Sequence, residues 1–284
     1  MTGYLQQFAD LIIPAFVVST MLAGGMSQPL SEVVAPLKKP VPVLLALLVN
    51  FILAPLLAVV LTRVIPLQAA HATGILLLGA AAGAPFLPKL AELAFGSIAY
   101  SVALMVLLMG GSIIFMPLAL PLMIPGASVS PWAIAEPLFV DMAIPLAVGF
   151  ALARLSAAWV ARLHSVARIV SNVTLVLIVV LMVGLNFRTL VGTLGSFAIG
   201  TYMLYLLIVV GAAYLVGAID RPTQDVFALA AGCRNIPACL VIASSSLNDP
   251  AVTVMLIVGF VVSLVFLFGF ARLMRTKVLA TRAL

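Results

Sequence analysis

Charged residues are scarce in this sequence of 284 amino acids. Lysine, arginine, aspartate and glutamate together make up 8% of the chain, whereas apolar residues make up 65% and the mean hydropathy is +1.33. A soluble domain carries about 25% charged residues and about 45–50% apolar residues. The composition therefore excludes a soluble enzyme or a soluble DNA-binding protein, because the chain cannot cover a surface that faces water.

Other features of catalysis and recognition are also missing. The net charge of +6 is spread among apolar runs with no basic stripe, so nucleic acid is not an expected partner. The two cysteines, Cys233 and Cys239, have a spacing that suits neither a metal or redox pair nor a disulfide framework. No zinc-protease, phosphate-loop, nucleophile-elbow or paired-carboxylate motif is present. We therefore expect no enzymatic activity, no cofactor and no metal site.

Long apolar runs dominate the chain. A helix needs roughly 20 largely apolar residues to cross the hydrocarbon core of a bilayer. Nine such segments lie near residues 8–26, 40–64, 71–94, 98–123, 131–155, 166–186, 193–217, 223–246 and 250–273. The connectors are short, so we expect one all-α polytopic membrane domain over residues 1–284 with nine transmembrane helices.

The basic residues indicate an orientation for these nine spans. One set of ends carries only Arg63 and Arg188. The opposite ends carry Lys38, Lys39, Arg154, Arg162, Arg168, Arg221, Arg272, Arg275, Lys277 and Arg282. Cytoplasmic loops are enriched in lysine and arginine. The pattern predicts a multi-pass protein of the cell (inner) membrane with its N-terminus outside and its C-terminus in the cytoplasm.

Two of the segments contain residues that interrupt helices. The third reads GILLLGAAAGAPFLPKLAELAFG, with Gly83, Pro85 and Pro88 in its middle, and the eighth reads VFALAAGCRNIPACLVIASSS, with Gly232 and Pro237. Proline removes a backbone donor and glycine loosens a helix. We expect both helices to break near the middle of the bilayer. A matched pair of broken helices points to the binding site of an inverted-repeat transporter.

Each predicted break carries a cation. Lys89 follows Pro88, and Arg234 stands between Gly232 and Pro237. A charge inside a membrane usually faces a cavity or a partner. Lys89 has Glu92 three residues later, so a structural ion pair is one reading and anion binding is the other. No acidic residue lies within a helical turn of Arg234, which favours anion recognition by its guanidinium.

Three uncharged polar residues are further candidates for the same site. Asn50 and Asn235 either line the cavity or act as hydrogen-bonding contacts between helices. Ser101 either lines the cavity or bonds to the backbone of its own helix. The candidate substrate-binding set is therefore Lys89, Arg234, Asn235, Asn50, Ser101 and Glu92.

Several local runs resemble the bile acid:sodium symporter family. They are NFILAP at 50–55, GAPFLPK at 83–89, IPLAVG at 144–149 and GCRNIPACLVIAS at 232–244. The resemblance implies a fold in which a panel of helices faces a core, and two broken helices cross within the core. Carried over, residues 8–26 and 131–186 would form the panel, and residues 40–123 and 193–273 would form the core.

The resemblance also implies positions for two sodium sites. Most of these positions carry residues that are not sodium ligands here: Leu87, Pro88, Met105, Ala230 and Arg234. Only Asn50 and Ser101 keep a ligand type. A hard cation needs several oxygen ligands, and a guanidinium in the same space repels it. We therefore expect that the usual coupling to two sodium ions is absent, and that Lys89 and Arg234 are fixed cations in its place.

The resulting prediction is a secondary transporter that moves a small or amphipathic organic anion by alternating access. The substrate would be a carboxylate, either bile-acid-like or keto-acid-like, and its only other partner would be the lipid bilayer, with no obligate protein partner. Two alternatives stay open. One is a sodium- or proton-coupled symporter of the same substrate class, and the other is a non-transporting membrane receptor or scaffold with the same fold.

Overall fold

The computed structural model describes residues 2–27, 30–124, 131–185, 191–193, 196–217, 221–247 and 249–282. These residues form helices and short irregular segments. Within these ranges no β-strand occurs, and the one β-type contact is an isolated antiparallel bridge between Ala82 and Arg234. Arg188, which entered the orientation argument above, lies outside the described residues.

The helices are numbered here in chain order. The first half contains α1 (Thr2–Met26), α2 (Leu30–Leu37), α3 (Pro40–Val64), α4 (Ala69–Ala80), α5 (Leu87–Leu93) and α6 (Ile98–Met123). The second half contains α7 (Pro131–Leu152), α8 (Ala157–Leu185), α9 (Ala198–Val216), α10 (Arg221–Gly232), α11 (Ile236–Leu247) and α12 (Pro250–Arg282).

Six of these helices are long and apolar enough to cross a membrane, namely α3, α6, α7, α8, α9 and α12. Shorter apolar helices occur in α1, α4 and α11. The all-α, multi-pass membrane architecture expected from the sequence is thereby confirmed. The count of nine spans and the inverted repeat stay predictions.

Some helix boundaries differ from the expected ones. Helix α2 forms where the sequence indicated only a connector. Helix α8 begins at Ala157, earlier than the expected start near 166, and α12 continues to Arg282, beyond the expected end near 273. The added turns contain alanine, leucine and arginine, which favour helix whether or not lipid surrounds them. A prediction based on the length of apolar segments does not detect such extensions.

Two long helices contain a π turn just before a proline. The π turns are Val49–Leu53 in α3 and Phe139–Ala143 in α7, and Pro55 and Pro145 follow them. Proline has no N–H to donate to the carbonyl four residues earlier, so the ladder of the preceding turn must rearrange. The first of these π turns contains Asn50, so its geometry determines the direction of the Asn50 side chain.

Helix α1 packs against α7 and α8, the partners that the resemblance grouped into a panel. A Cβ added at Gly149 would lie 2.6 Å from the carbonyl oxygen of Leu22 and 2.9 Å from Cα of Gly25, so α1 and α7 touch backbone to backbone. Thr20 and Ser171 join α1 to α8 through a hydroxyl–hydroxyl hydrogen bond of 2.6 Å. The division into panel and core stays a prediction.

Two apolar segments are each split into two helices. Helix α4 ends at Ala80 and α5 begins at Leu87, while α10 ends at Gly232 and α11 begins at Ile236. The residues around both interruptions are almost all buried. The two interruptions lie against each other, and α3, α6, α9 and α12 pack against the interrupted segments.

Candidate functional site

The two interrupted segments meet through their backbones. The N–H of Gly83 donates to the carbonyl of Cys233 at 3.1 Å, and the N–H of Asn235 donates to the carbonyl of Ala81 at 3.0 Å. Ala82 and Arg234 face each other between these two bonds. Non-helical backbone inside a membrane protein needs such partners, because lipid offers none. We call residues 81–86 and 233–235 the crossing.

Ser112 of α6 completes the hydrogen bonding of the crossing. Its Oγ accepts from the N–H of Ala82 at 2.8 Å and donates to the carbonyl of the same residue at 2.9 Å. Ala82 uses neither group in the bridge to Arg234, so both were left for a third partner. A hydroxyl can donate and accept at once. The buried Ser112 therefore fixes α6 to the first interruption.

Gly83 allows the chain to turn at this point. Its φ is +85°, and a Cβ here would lie 2.8 Å from the backbone nitrogen of Met109. Both the dihedral and the space require glycine. The other helix-interrupting residues lie at or beside the same two segments: Pro85 in the crossing, Pro88 in the first turn of α5, Gly232 at the end of α10, and Pro237 in the first turn of α11.

The side chain of Arg234 is enclosed at the crossing, with only 1% of its surface exposed. Its Nη2 donates to Oδ1 of Asn50 at 3.3 Å, and Nδ2 of Asn50 donates to the carbonyl of Ala46 at 3.0 Å. The guanidinium carbon lies 5.6 Å from the centre of the Tyr205 ring, a cation–π distance. Helices α3 and α9 thus hold the guanidinium from two sides.

Most of the donors of Arg234 have no protein partner. Its Nε and Nη1 are buried and make no hydrogen bond, and it forms no ion pair with any carboxylate of the described residues. A guanidinium has five N–H donors arranged as two-donor edges. Asn50 takes one N–H of Nη2, so at least one complete edge is left. That edge matches the two oxygens of a carboxylate.

Two tyrosines extend the support of Arg234 into the protein. The rings of Tyr205 and Tyr202 stack with their centres 5.6 Å apart, and the hydroxyls of Tyr202 and Ser263 form a hydrogen bond of 2.8 Å. Both tyrosines are fully buried. Tyr205 could not be recognised from its sequence position, since an aromatic residue in an apolar helix is ordinarily a packing residue.

Asn235 begins the helix that follows the crossing. Its Oδ1 accepts from the N–H of Ala238 at 3.1 Å, which is a helix N-cap, and its buried Nδ2 has no partner. Asn235 thus belongs to the crossing. Ser101 is also buried, but its hydroxyl donates at 2.7 Å to the carbonyl of Ile98 in its own helix.

Lys89 and Glu92 lie outside this cluster. The Nζ of Lys89 is 2.6 Å from Oε2 of Glu92, and their side chains are 70% and 57% exposed. This is the ion pair that the spacing along the helix had left open as an alternative to anion binding. The structure brings Arg234, Asn50 and Asn235 together at the crossing. It does not place Lys89 beside Arg234, since α5 directs the lysine to its own glutamate on the surface of the protein.

The positions that the resemblance assigns to sodium ligands do not fit a sodium ion. Leu87, Met105 and Ala230 are buried and carry no side-chain oxygen. The oxygen of Asn50 already accepts from Arg234, and the hydroxyl of Ser101 bonds within its own helix. A hard cation needs several free oxygens. The guanidinium of Arg234 also opposes a second positive charge in this space.

The chain was compared with models of known protein families. The model of the Sodium Bile acid symporter family matches residues 14–193. The matched region contains the first interruption, Asn50 and Ser112, whereas Arg234 and Tyr205 lie beyond it. A search of curated proteins finds no match to the chain.

Proposed function

We propose a function from the premise that this chain belongs to the Sodium Bile acid symporter family. Members of this family are transporters and not enzymes, and the apolar helices agree with a multi-pass membrane protein. The proposed activity is secondary transport of a small or amphipathic organic anion by alternating access, in which the core moves against the panel. The substrate class, the coupling and the motion are our proposal.

The buried guanidinium of Arg234 is the observation that carries the proposal. A cation inside a membrane protein is costly, by about 2.5–3.5 kcal/mol on insertion scales. The side chains that offset this charge in the described residues are the amide of Asn50 and the ring of Tyr205, and neither carries a negative charge. A carboxylate on the free edge would supply both the missing charge and two hydrogen bonds.

The surroundings of Arg234 favour an anion over other ligands. Helix α10 ends two residues before Arg234 and α11 begins two residues after it, so the guanidinium lies between a C-terminal end with negative partial charge and an N-terminal end with positive partial charge. The buried Nδ2 of Asn235 is one more donor at the crossing. Buried apolar residues lie at the same place, for example Met109 beside Gly83. The body of the proposed substrate is either steroid-like or that of a short keto acid.

We propose that transport does not use the usual two sodium ions. The fixed charge of Arg234 stands at one position that would hold a sodium ligand, so the substrate meets a permanent cation there. The proposed role of a fixed cation in place of sodium therefore falls to Arg234 alone. The sequence suggested both Lys89 and Arg234 for this role, but Lys89 is paired with Glu92. We also propose an inner-membrane location with the N-terminus outside, from the distribution of lysine and arginine.

Uptake into proteoliposomes tests this function. Purified protein is reconstituted into vesicles that contain unlabelled pyruvate and cholate, and uptake of labelled pyruvate and labelled cholate is measured in sodium-containing and sodium-free buffer. We expect uptake of at least one of them at equal rates in both buffers. Arg234→Gln should raise the half-saturating concentration by roughly 30-fold or more, because removing one partner of a buried charged pair costs at least about 2 kcal/mol.

Arg162→Gln is the matched control. Arg162 also stacks on an aromatic ring, with its guanidinium carbon 5.8 Å from the centre of the Trp159 ring, but it is exposed. The same loss of charge there should leave uptake unchanged. Uptake that disappears without sodium, or that survives Arg234→Gln with unchanged half-saturation, would contradict the proposal.

A further inference from the structure

The charge of Arg234 is permanent. A guanidinium does not release its proton in a protein, whereas a buried lysine, histidine or carboxylate can become neutral. A transporter with one of those groups in its site could shed the charge whenever the substrate leaves. With arginine at the crossing, the charge persists through every step of the cycle.

The described residues do not neutralise this charge from within. The guanidinium donates to the amide of Asn50 and lies over the ring of Tyr205, both of which are uncharged. The thiols of Cys233 and Cys239 and the hydroxyl of Tyr202 also lie near it, and these groups are neutral in their ordinary protonation states. No ion pair joins Arg234 to any acidic side chain within the described ranges. A bound anion would supply a full compensating charge.

Because Arg234 is enclosed, solvent cannot take the place of a bound anion as its partner. Alternating access takes the binding site through a form that is closed to both sides of the membrane. Only 1% of the surface of Arg234 is exposed in this structure, so water does not reach the guanidinium. Without an anion, closure leaves an isolated cation away from water. With a carboxylate on the free edge, closure encloses a neutral pair.

We infer that this protein is an exchanger: it reorients with a carboxylate bound and returns only with a second carboxylate bound. The inference rests on the proposed function and adds the mode of transport. The cost of an isolated arginine inside a membrane protein corresponds to a factor of roughly 100 in rate. Exchange of anions should therefore be roughly 100-fold faster than net movement of the same anion.

Efflux from proteoliposomes separates the two modes. Vesicles are loaded with labelled pyruvate or labelled cholate and diluted into buffer that contains, or lacks, the same unlabelled anion. Potassium and valinomycin hold the membrane potential at zero, so that charge movement does not limit net efflux. External anion should accelerate the loss of label roughly 100-fold. Equal efflux in both buffers would overturn the inference and leave the proposed function standing. Absence of efflux of both anions in both buffers would overturn the proposed function as well.

A second measurement uses a charge placed beside Arg234. Asn50→Asp puts a carboxylate where Oδ1 now lies, 3.3 Å from Nη2, and so neutralises the guanidinium from within. The ratio of exchange to net efflux should fall toward 1 in this variant, even if total flux is lower. Asn50→Ala removes the same hydrogen bond without adding charge and should keep a high ratio. A ratio in Asn50→Asp that equals the ratio in the unaltered protein would overturn the inference.

Discussion

Replacing Ser112 with alanine should strongly destabilise the crossing. The substitution removes the hydroxyl that bonds to both the N–H and the carbonyl of Ala82, at 2.8 and 2.9 Å. Both backbone groups are buried, and each unsatisfied group costs about 1–3 kcal/mol. Hydrogen bonds in membrane proteins often contribute less than this, about 0.6 kcal/mol on average. We therefore expect a loss of about 2–4 kcal/mol from the pair.

Thermal unfolding of the purified protein in detergent measures this loss. At about 2–4 °C per kcal/mol, the melting temperature should fall by on the order of 5–10 °C. Ser19→Ala is the matched control, because Ser19 is also buried but its hydroxyl donates to carbonyls of its own helix, at 2.7 Å to Ala15. Its expected shift is under about 3 °C. Equal shifts for the two variants would refute the idea that Ser112 joins α6 to the first interruption.

Three further substitutions test other parts of the site. Gly83→Ala should prevent a stable fold, since φ is +85° at this residue and the added Cβ would lie 2.8 Å from the backbone nitrogen of Met109. A melting temperature equal to that of the unaltered protein would contradict this. Tyr205→Leu should weaken carboxylate binding roughly fivefold or more, because it removes the ring 5.6 Å from Arg234, whereas Tyr205→Phe keeps the ring and should not weaken binding. Equal affinities of the Leu and Phe variants for the carboxylate would contradict a cation–π role. Asn235→Ala should lower the stability by about 1 kcal/mol, and Asn235→Asp, which keeps the cap, should not; equal melting of the two would argue against the cap.

The sequence predicts most of the fold because its strongest signals are local. Apolar length alone indicates the membrane helices, and proline with glycine in an apolar run indicates where a helix cannot continue. The interruption at 81–86 contains Gly83 and Pro85, and the interruption at 233–235 lies between Gly232 and Pro237. Helix extensions such as the early start of α8 lie outside the apolar segments, so the length of an apolar segment does not reveal them.

The partners of the site could not be predicted, because they depend on tertiary contacts. Ser112 lies 30 residues from Ala82 in sequence, and Asn50 lies 184 residues from Arg234. An isolated sequence shows that a buried cation needs a partner without showing which residue provides one. Lys89 illustrates the same point, since the sequence allowed both an ion pair and anion binding, and only its contact with Glu92 shows the pair.

Anion-dependent stability tests the central claim, that Arg234 binds a carboxylate without sodium, most directly. Melting temperatures of the unaltered protein and of Arg234→Gln are measured with pyruvate, with cholate, and with sodium chloride alone. At 100 times the dissociation constant a ligand stabilises its target by about 2.7 kcal/mol. We predict that one carboxylate raises the melting temperature of the unaltered protein in sodium-free buffer and does not raise that of Arg234→Gln. Stabilisation by sodium alone, or equal stabilisation of both proteins by the carboxylate, would contradict the account.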